Sequence, residues 1–239
     1  MKHGMCILVV GMSMWVGMLG AVGDEELFLR GNKQYLEGNF EQATESYRMI
    51  KRKGQAVWYN LGNCAYRCGD YPNARICWLR AEQASPERWH ASVAHNIAAL
   101  DAAVGRSSTP STWFDALTAV TCYVPLLVMQ VLFLLFWCGL LGMVLTGGWN
   151  IRRGSFVTLC ALSLVFGILI AVRYTTMWRI RAVTRENTAI FAGPDRHYHA
   201  VGTIDRAQEM VVHKDRGDWY KVKAGILVGW VPARDVVVV

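Results

Sequence analysis

His197 and His199 stand two positions apart, so on an extended strand both imidazoles could face one side and offer nitrogens to a metal ion. No nearby carboxylate or thiol completes a set with recognised ligand spacing, so neither a metal nor another cofactor is expected. Cys64 and Cys68 share a helix face at i, i+4, and Cys77 belongs to the next helix. Cys122, Cys138 and Cys160 lie in or near long apolar runs, and Cys6 lies in an amino-terminal one. These seven cysteines contain no Cys-x-x-Cys pair. Their expected use is packing as small apolar groups. An oxidising compartment would permit a disulfide among Cys64, Cys68 and Cys77, without spacing that selects one. There is no glycine-rich phosphate loop, no Gly-x-Ser-x-Gly elbow and no His-Glu-x-x-His run. The expectation is a protein that is not an enzyme.

The elements that carry these residues are unusually apolar. Of 239 residues 53% are hydrophobic and 18% charged, a balance that excludes a disordered chain and points part of it to a membrane. The net charge of +7 would suggest nucleic acid if it covered one surface. Most of the excess instead sits beside an apolar segment, as Arg173, Arg179, Arg181 and Arg185. That is the placement of a membrane flank, and no nucleic-acid partner is expected.

Residues 1–23 have the anatomy of a signal peptide. Lys2 and His3 precede an apolar run from Met5 to Leu19, and Ala21-Val22-Gly23 offers small residues for cleavage before Asp24. An uncleaved anchor is the alternative; either form exports residue 24 onward. Residues 116–151 contain no Lys, Arg, Asp or Glu, and neither do residues 154–172. Both runs approach or exceed the roughly 20 apolar residues of a spanning helix, giving a two-helix transmembrane hairpin at about 122–145 and 154–172. Orientation signals conflict: the four arginines after the second span outnumber Arg152 and Arg153 in the loop, but the leader places the loop inside. The leader, as first apolar segment, takes precedence. The spans carry no ionisable group, which favours an anchor over a transport path.

Residues 24–105 repeat internally. Gly31-Asn32 through Ala43 parallels Gly62-Asn63 through Ala74 at an offset of 31, each unit reading as helix, Gly-containing turn, helix. The second unit carries Trp58, Leu61-Gly62, Tyr66, Ala74, Trp78, Ala81 and Pro86, and resembles the tetratricopeptide repeat. A further helix from Ser85-Pro86 to Leu100 reads as the first helix of a third unit or as a cap, with no second helix expected before Pro110. The resemblance implies an array that binds partner peptides or helices on its concave face. It makes Asn32, Asn60, Asn63, Arg67 and Asn96 the candidate protein-binding groove, amides for a peptide backbone and Arg67 for a carboxylate. Hydrogen bonding between helices is the alternative use of the same side chains.

Residues 181–239 switch to short β-rich runs between turns, the texture of a small barrel. Gly217-Asp218-Trp219-Tyr220 and Gly229-Trp230-Val231-Pro232 resemble the bacterial SH3-like domain, which makes Trp219 and Pro232 a candidate SH3-like groove. An acidic, tyrosine-rich first loop is absent, and filling the barrel is the alternative role for Trp219 and Trp230. Trp219 is expected nearer the surface and Trp230 nearer the core.

The fold class expected is a multidomain membrane protein with an all-α tetratricopeptide-repeat array at 24–105, a linker at 106–115, the hairpin at 116–172, a juxtamembrane linker at 173–180 and a C-terminal all-β SH3-like barrel at 181–239. This order resembles Bat aerotolerance-operon proteins that combine tetratricopeptide repeats with an SH3 domain. The resemblance implies a scaffold of the bacterial inner membrane with both soluble domains exported. Its partners would be other envelope or membrane proteins, Bat-type complex members among them, with a cell-wall peptide as a candidate ligand of the tail. The competing reading is an envelope sensor of a wall or small-molecule ligand.

Overall fold

A computed structural model describes residues 23–84, 86–106, 121, 124–146 and 153–239. The leader, the Arg152 loop and nearly all of the 106–115 linker, including any helix after Gly105, fall outside the described residues.

Residues 23–36 form α1, followed by α2 (Phe40–Met49), α3 (Gln55–Arg67), α4 (Tyr71–Ala84) and α5 (Pro86–Ala103). α1, α3 and α5 end alike, at Gly38, Gly69 and Gly105 with φ of +83°, +75° and +72°. At Gly69 the chain folds back through Gly69 N–H to the Tyr66 carbonyl at 3.0 Å and Asp70 N–H to the Ala65 carbonyl at 2.8 Å. This closure satisfies the last helical carbonyls and requires the left-handed conformation glycine adopts readily. α5 therefore terminates like the first helix of each preceding unit.

Packing repeats with the turns. Gly31 lies against Tyr47, where a Cβ would come 2.6 Å from the ring, and Gly62 lies against Trp78 in the same way. The absence of a side chain lets each second helix press its aromatic ring onto the first. Ala43, Tyr47, Ile50, Val57, Leu61 and Cys64 form one core cluster, and Ala74, Trp78, Val93 and Leu100 belong to the next.

α6 (Leu126–Leu145) begins after Pro125, whose carbonyl accepts from Val128 N–H at 3.0 Å. It pairs with α7 (Arg153–Met177) through Phe136 and Phe166, whose ring centres are 5.5 Å apart. Gly139 admits Leu159, while Gly142 faces open space. The windows Leu126–Leu145 and Gly154–Thr175 have mean hydropathy 2.3 and 2.5 and are long and apolar enough to cross a membrane. Only 11% and 6% of those windows are buried, unlike core helices of a soluble domain. α7 runs through Arg173 to Met177, so the segment 173–180 is helical up to Met177. Nothing from Arg173 to Met177 is a glycine or proline that would stop the helix.

The strands are β1 (Arg181–Thr184), β2 (Thr188–Phe191), β3 (Ala200–Ile204), β4 (Glu209–Asp215), β5 (Trp219–Ala224), β6 (Leu227–Pro232) and β7 (Val236–Val238). They form one antiparallel sheet in the order β3-β2-β6-β5-β4-β1-β7. The expected all-β tail is present as this sheet; β3 pairs only with β2 and β7 only with β1, so no ladder joins the two edges. Ala182, Ile190, Ile204, Met210, Val222, Val231 and Val236 fill the concave core.

The sheet is docked on the array. Val183 on β1 packs with Ile76 and Leu79 on α4, with Ile97, Val237 and Val239 around them. Ala207, in the β3–β4 loop, is fully buried in the Trp78–Leu100 cluster. Arg181 Nη1 donates to Glu82 Oε2 across this seam at 2.7 Å.

Candidate protein-binding site

Counting back from each glycine turn aligns the first helices of the units. Asn32 and Asn63 stand six residues before Gly38 and Gly69, and Asn60 and Asn96 stand nine before Gly69 and Gly105. The folded array joins them in two copies of one network. In the first, Tyr47 O–H donates to Asn32 Oδ1 at 2.7 Å, and Asn60 Nδ2 donates to the same oxygen at 3.1 Å. Asn60 Nδ2 also lies 3.2 Å from the Tyr47 hydroxyl oxygen. In the second, Trp78 Nε1–H donates to Asn63 Oδ1 at 3.0 Å, and Asn96 Nδ2 donates to it at 3.1 Å and to Tyr59 Oη at 3.0 Å.

Each rung thus connects the first helix of a unit, the ring of its second helix and the first helix of the following unit. All four amides are half-buried, and each uses one end in the rung. Among the described residues the Nδ2 groups of Asn32 and Asn63 and the Oδ1 atoms of Asn60 and Asn96 make no hydrogen bond. A rung therefore has one donor and one acceptor left over, the pair that a peptide group needs. Ala99 occupies the six-residue position of α5, so the series of acceptor amides stops there.

Arg67, on the exposed last turn of α3, holds its guanidinium 4.7 Å from the Phe40 ring centre. The ring face orients the cation without neutralising it, and its charge stays available to a carboxylate. Behind the rungs the interior is buried, with Tyr47 and Cys64 closed off from solvent. Burial, opposed by the Asn60 hydrogen bond, pushes the Tyr47 phenol up to about 12. Burial likewise pushes the Cys64 and Cys77 thiols up to about 11. Cys64, Cys68 and Cys77 are free thiols, with Cys68 exposed.

On the sheet, Trp219 and Pro232 are direct partners across β5 and β6. Trp219 is half-buried and meets Phe191 edge-on at 5.6 Å, while Pro232 is buried. Trp230 is 7% exposed, but it alternates away from the face that Val231 turns to the core and lies beneath the Arg216 guanidinium at 5.4 Å. Its burial comes from this outer aromatic face. His197 is exposed and pairs through Nδ1 with Asp195 Oδ1 at 2.6 Å, an acidic neighbour left unassigned by spacing. Among the described residues no group of three or more His, Cys, Asp or Glu side chains is placed to hold a metal.

Tyr47, Tyr59 and Trp78 are parts of the rungs that the sequence reading missed. The available signal was the 31-residue offset from Tyr47 to Trp78, which equals that from Asn32 to Asn63. Helical pairs stacked through Gly-to-ring contacts define a helical-repeat array. Residues 55–88 match the family model described as tetratricopeptide repeat. No curated protein matches the chain.

Proposed function

We propose that this protein is a non-enzymatic scaffold, anchored in the bacterial inner membrane by α6 and α7, that binds partner proteins through its repeats. The observation that carries the reading is the half-used amide ladder. Asn32, Asn60, Asn63 and Asn96 are each held through one end of the amide and retain alternating donors and acceptors beside the cationic Arg67. Fixed, partly desolvated amides lose little entropy when they take a peptide backbone. By its resemblance to Bat aerotolerance-operon proteins, the partners are other envelope membrane proteins, and both soluble parts are on the exported side.

The test is photocrosslinking in cells that express the full chain, with a probe at Arg67 and a control probe at Ile226, which is 94% exposed on the sheet. The expected result is an envelope-protein adduct at Arg67, lost when Asn63 and Asn96 are changed to Ala in a chain that keeps its helical content. An adduct unchanged by those substitutions would reduce the ladder to helix packing. The second reading, a sensor, draws on the outer aromatic face of the SH3-like tail, where Phe191, Trp219 and Pro232 converge. Crosslinking of wall peptide to that face, with none at Arg67, would favour it.

A further inference from the structure

Where the array meets the sheet, two guanidinium groups share one carboxylate. Arg75 Nη2 and Arg106 Nε both approach Asp101 Oδ1, the latter at 3.3 Å, and the Arg75, Arg106 and Asp101 side chains are 5%, 18% and 14% exposed. One carboxylate balances one cation, so positive charge is left over in a poorly solvated place. Arg106 Nη2 donates to the Ala207 carbonyl at 3.2 Å, across the seam, whereas its buried Nη1 has no hydrogen-bond partner among the described residues. Burial and the nearby Arg75 both act against the Arg106 charge, with Asp101 and Asp205 opposing them. A buried charged donor left unpaired is destabilising, and such an atom calls for a partner.

Arg106 lines a cavity of about 190 Å³ together with Tyr71 and Val104 of the array and Asn187, Asp205 and Arg206 of the sheet. One water needs roughly 10–15 Å³, so the cavity has room for a small ion with its waters. Arg206 stands at the junction with a wider cleft that also contains Asp70, Arg185 and Glu186. Among the described residues the Arg206 guanidinium is held by one long bond, 3.4 Å to the Gly69 carbonyl. Arg75, Arg106 and Arg206 together face Asp101 and Asp205, an excess of one positive charge at the inner cavity.

We propose that this inner cavity binds a small oxyanion, a carboxylate or a phosphate, clamped between Arg106 of the array and Arg206 of the β3–β4 loop. The ligand touches both modules, so its binding energy favours the docked arrangement over the separated one. The seam is then a ligand-controlled joint between the repeats and the tail, independent of the partner-binding ladder.

The experiment uses the full chain in detergent micelles at pH 7. Thermal unfolding and isothermal titration are followed with sodium phosphate and with sodium acetate, each against sodium chloride at equal ionic strength. The expected result is a saturable binding heat and a raised Tm with phosphate or acetate but not with chloride. Saturation by phosphate alone assigns a tetrahedral ligand, and by acetate alone a carboxylate. Loss of a charge-assisted hydrogen bond should weaken binding by about tenfold or more in Arg206→Ala, whose exposed side chain leaves the fold intact, and in Arg106→Gln. Lys33→Ala, on the exposed surface of α1, should bind as the parent does. A shift that chloride reproduces, or an affinity unchanged in Arg206→Ala and Arg106→Gln, overturns the proposal.

Discussion

Tyr47 joins three roles in one side chain: it fills the pocket that Gly31 leaves, donates to Asn32 and sits in a buried interior. Its phenol is raised from the ordinary 10.0 to about 12, and the Cys64 and Cys77 thiols from 9.0 to about 11, mainly by burial. A raised acidity constant in the folded state means that folding favours the protonated form. The associated stability is complete below the unfolded values and is lost as pH climbs through the folded ones. The array should therefore weaken in steps, from about pH 9 to 11 through the thiols and from about pH 10 to 12 through Tyr47. Tyr47→Phe should remove the upper step and reduce neutral-pH stability by about 1 kcal/mol, because Asn32 keeps Asn60 as donor. Denaturant melts between pH 7 and 12 would check this, and an upper step that persists in Tyr47→Phe would assign it elsewhere. The asparagines were visible in the sequence as candidate ligands. Their ring partners were not, because Tyr47 and Asn32 are 15 residues apart and meet only once two helices stack.

At the scale of elements, the glycines decide how closely helices approach. Glycine to alanine in a helix ordinarily stabilises by up to about 1 kcal/mol. At Gly62 the new methyl would enter the space of the Trp78 ring, and overpacking costs roughly 1–3 kcal/mol. Gly62→Ala should thus lower the Tm of the full chain, with loss of the Trp78–Asn63 bond visible as a change in tryptophan emission. Gly142→Ala, with open space around it, should leave the α6–α7 pair intact. If both substitutions behaved alike, close approach would not be the reason for glycine at 62. Turns, repeats and apolar runs were legible because each is written in a local pattern. β7 was missed: Val236 to Val238 is a short strand whose partner, β1, lies at the other end of the tail.

The whole molecule is held together at a seam that had no sequence signature. Ile76, Leu79 and Val183 look like ordinary core residues, yet they join the array to a sheet about a hundred positions later. This contact bears on topology. Array and sheet can touch only on one side of a bilayer, so under the proposed anchoring the apolar helices between them would cross it an even number of times. The hairpin α6–α7 meets that condition, and α7 enters β1 after only residues 178–180, which brings the sheet close to the membrane surface. In the orientation proposed above, which follows the leader against the cluster Arg173 to Arg185, that surface is the exported one. Single cysteines introduced at Lys33, Ile226 and Asn150 in an otherwise cysteine-free chain distinguish the cases. In intact spheroplasts a membrane-impermeant maleimide should modify positions 33 and 226 and spare 150 until the membrane is opened. Modification at 150 alone would turn the molecule over and give the arginine cluster the deciding role. Labelling at only one of 33 and 226 would separate array from sheet across the bilayer, which is incompatible with Val183 packed on Leu79.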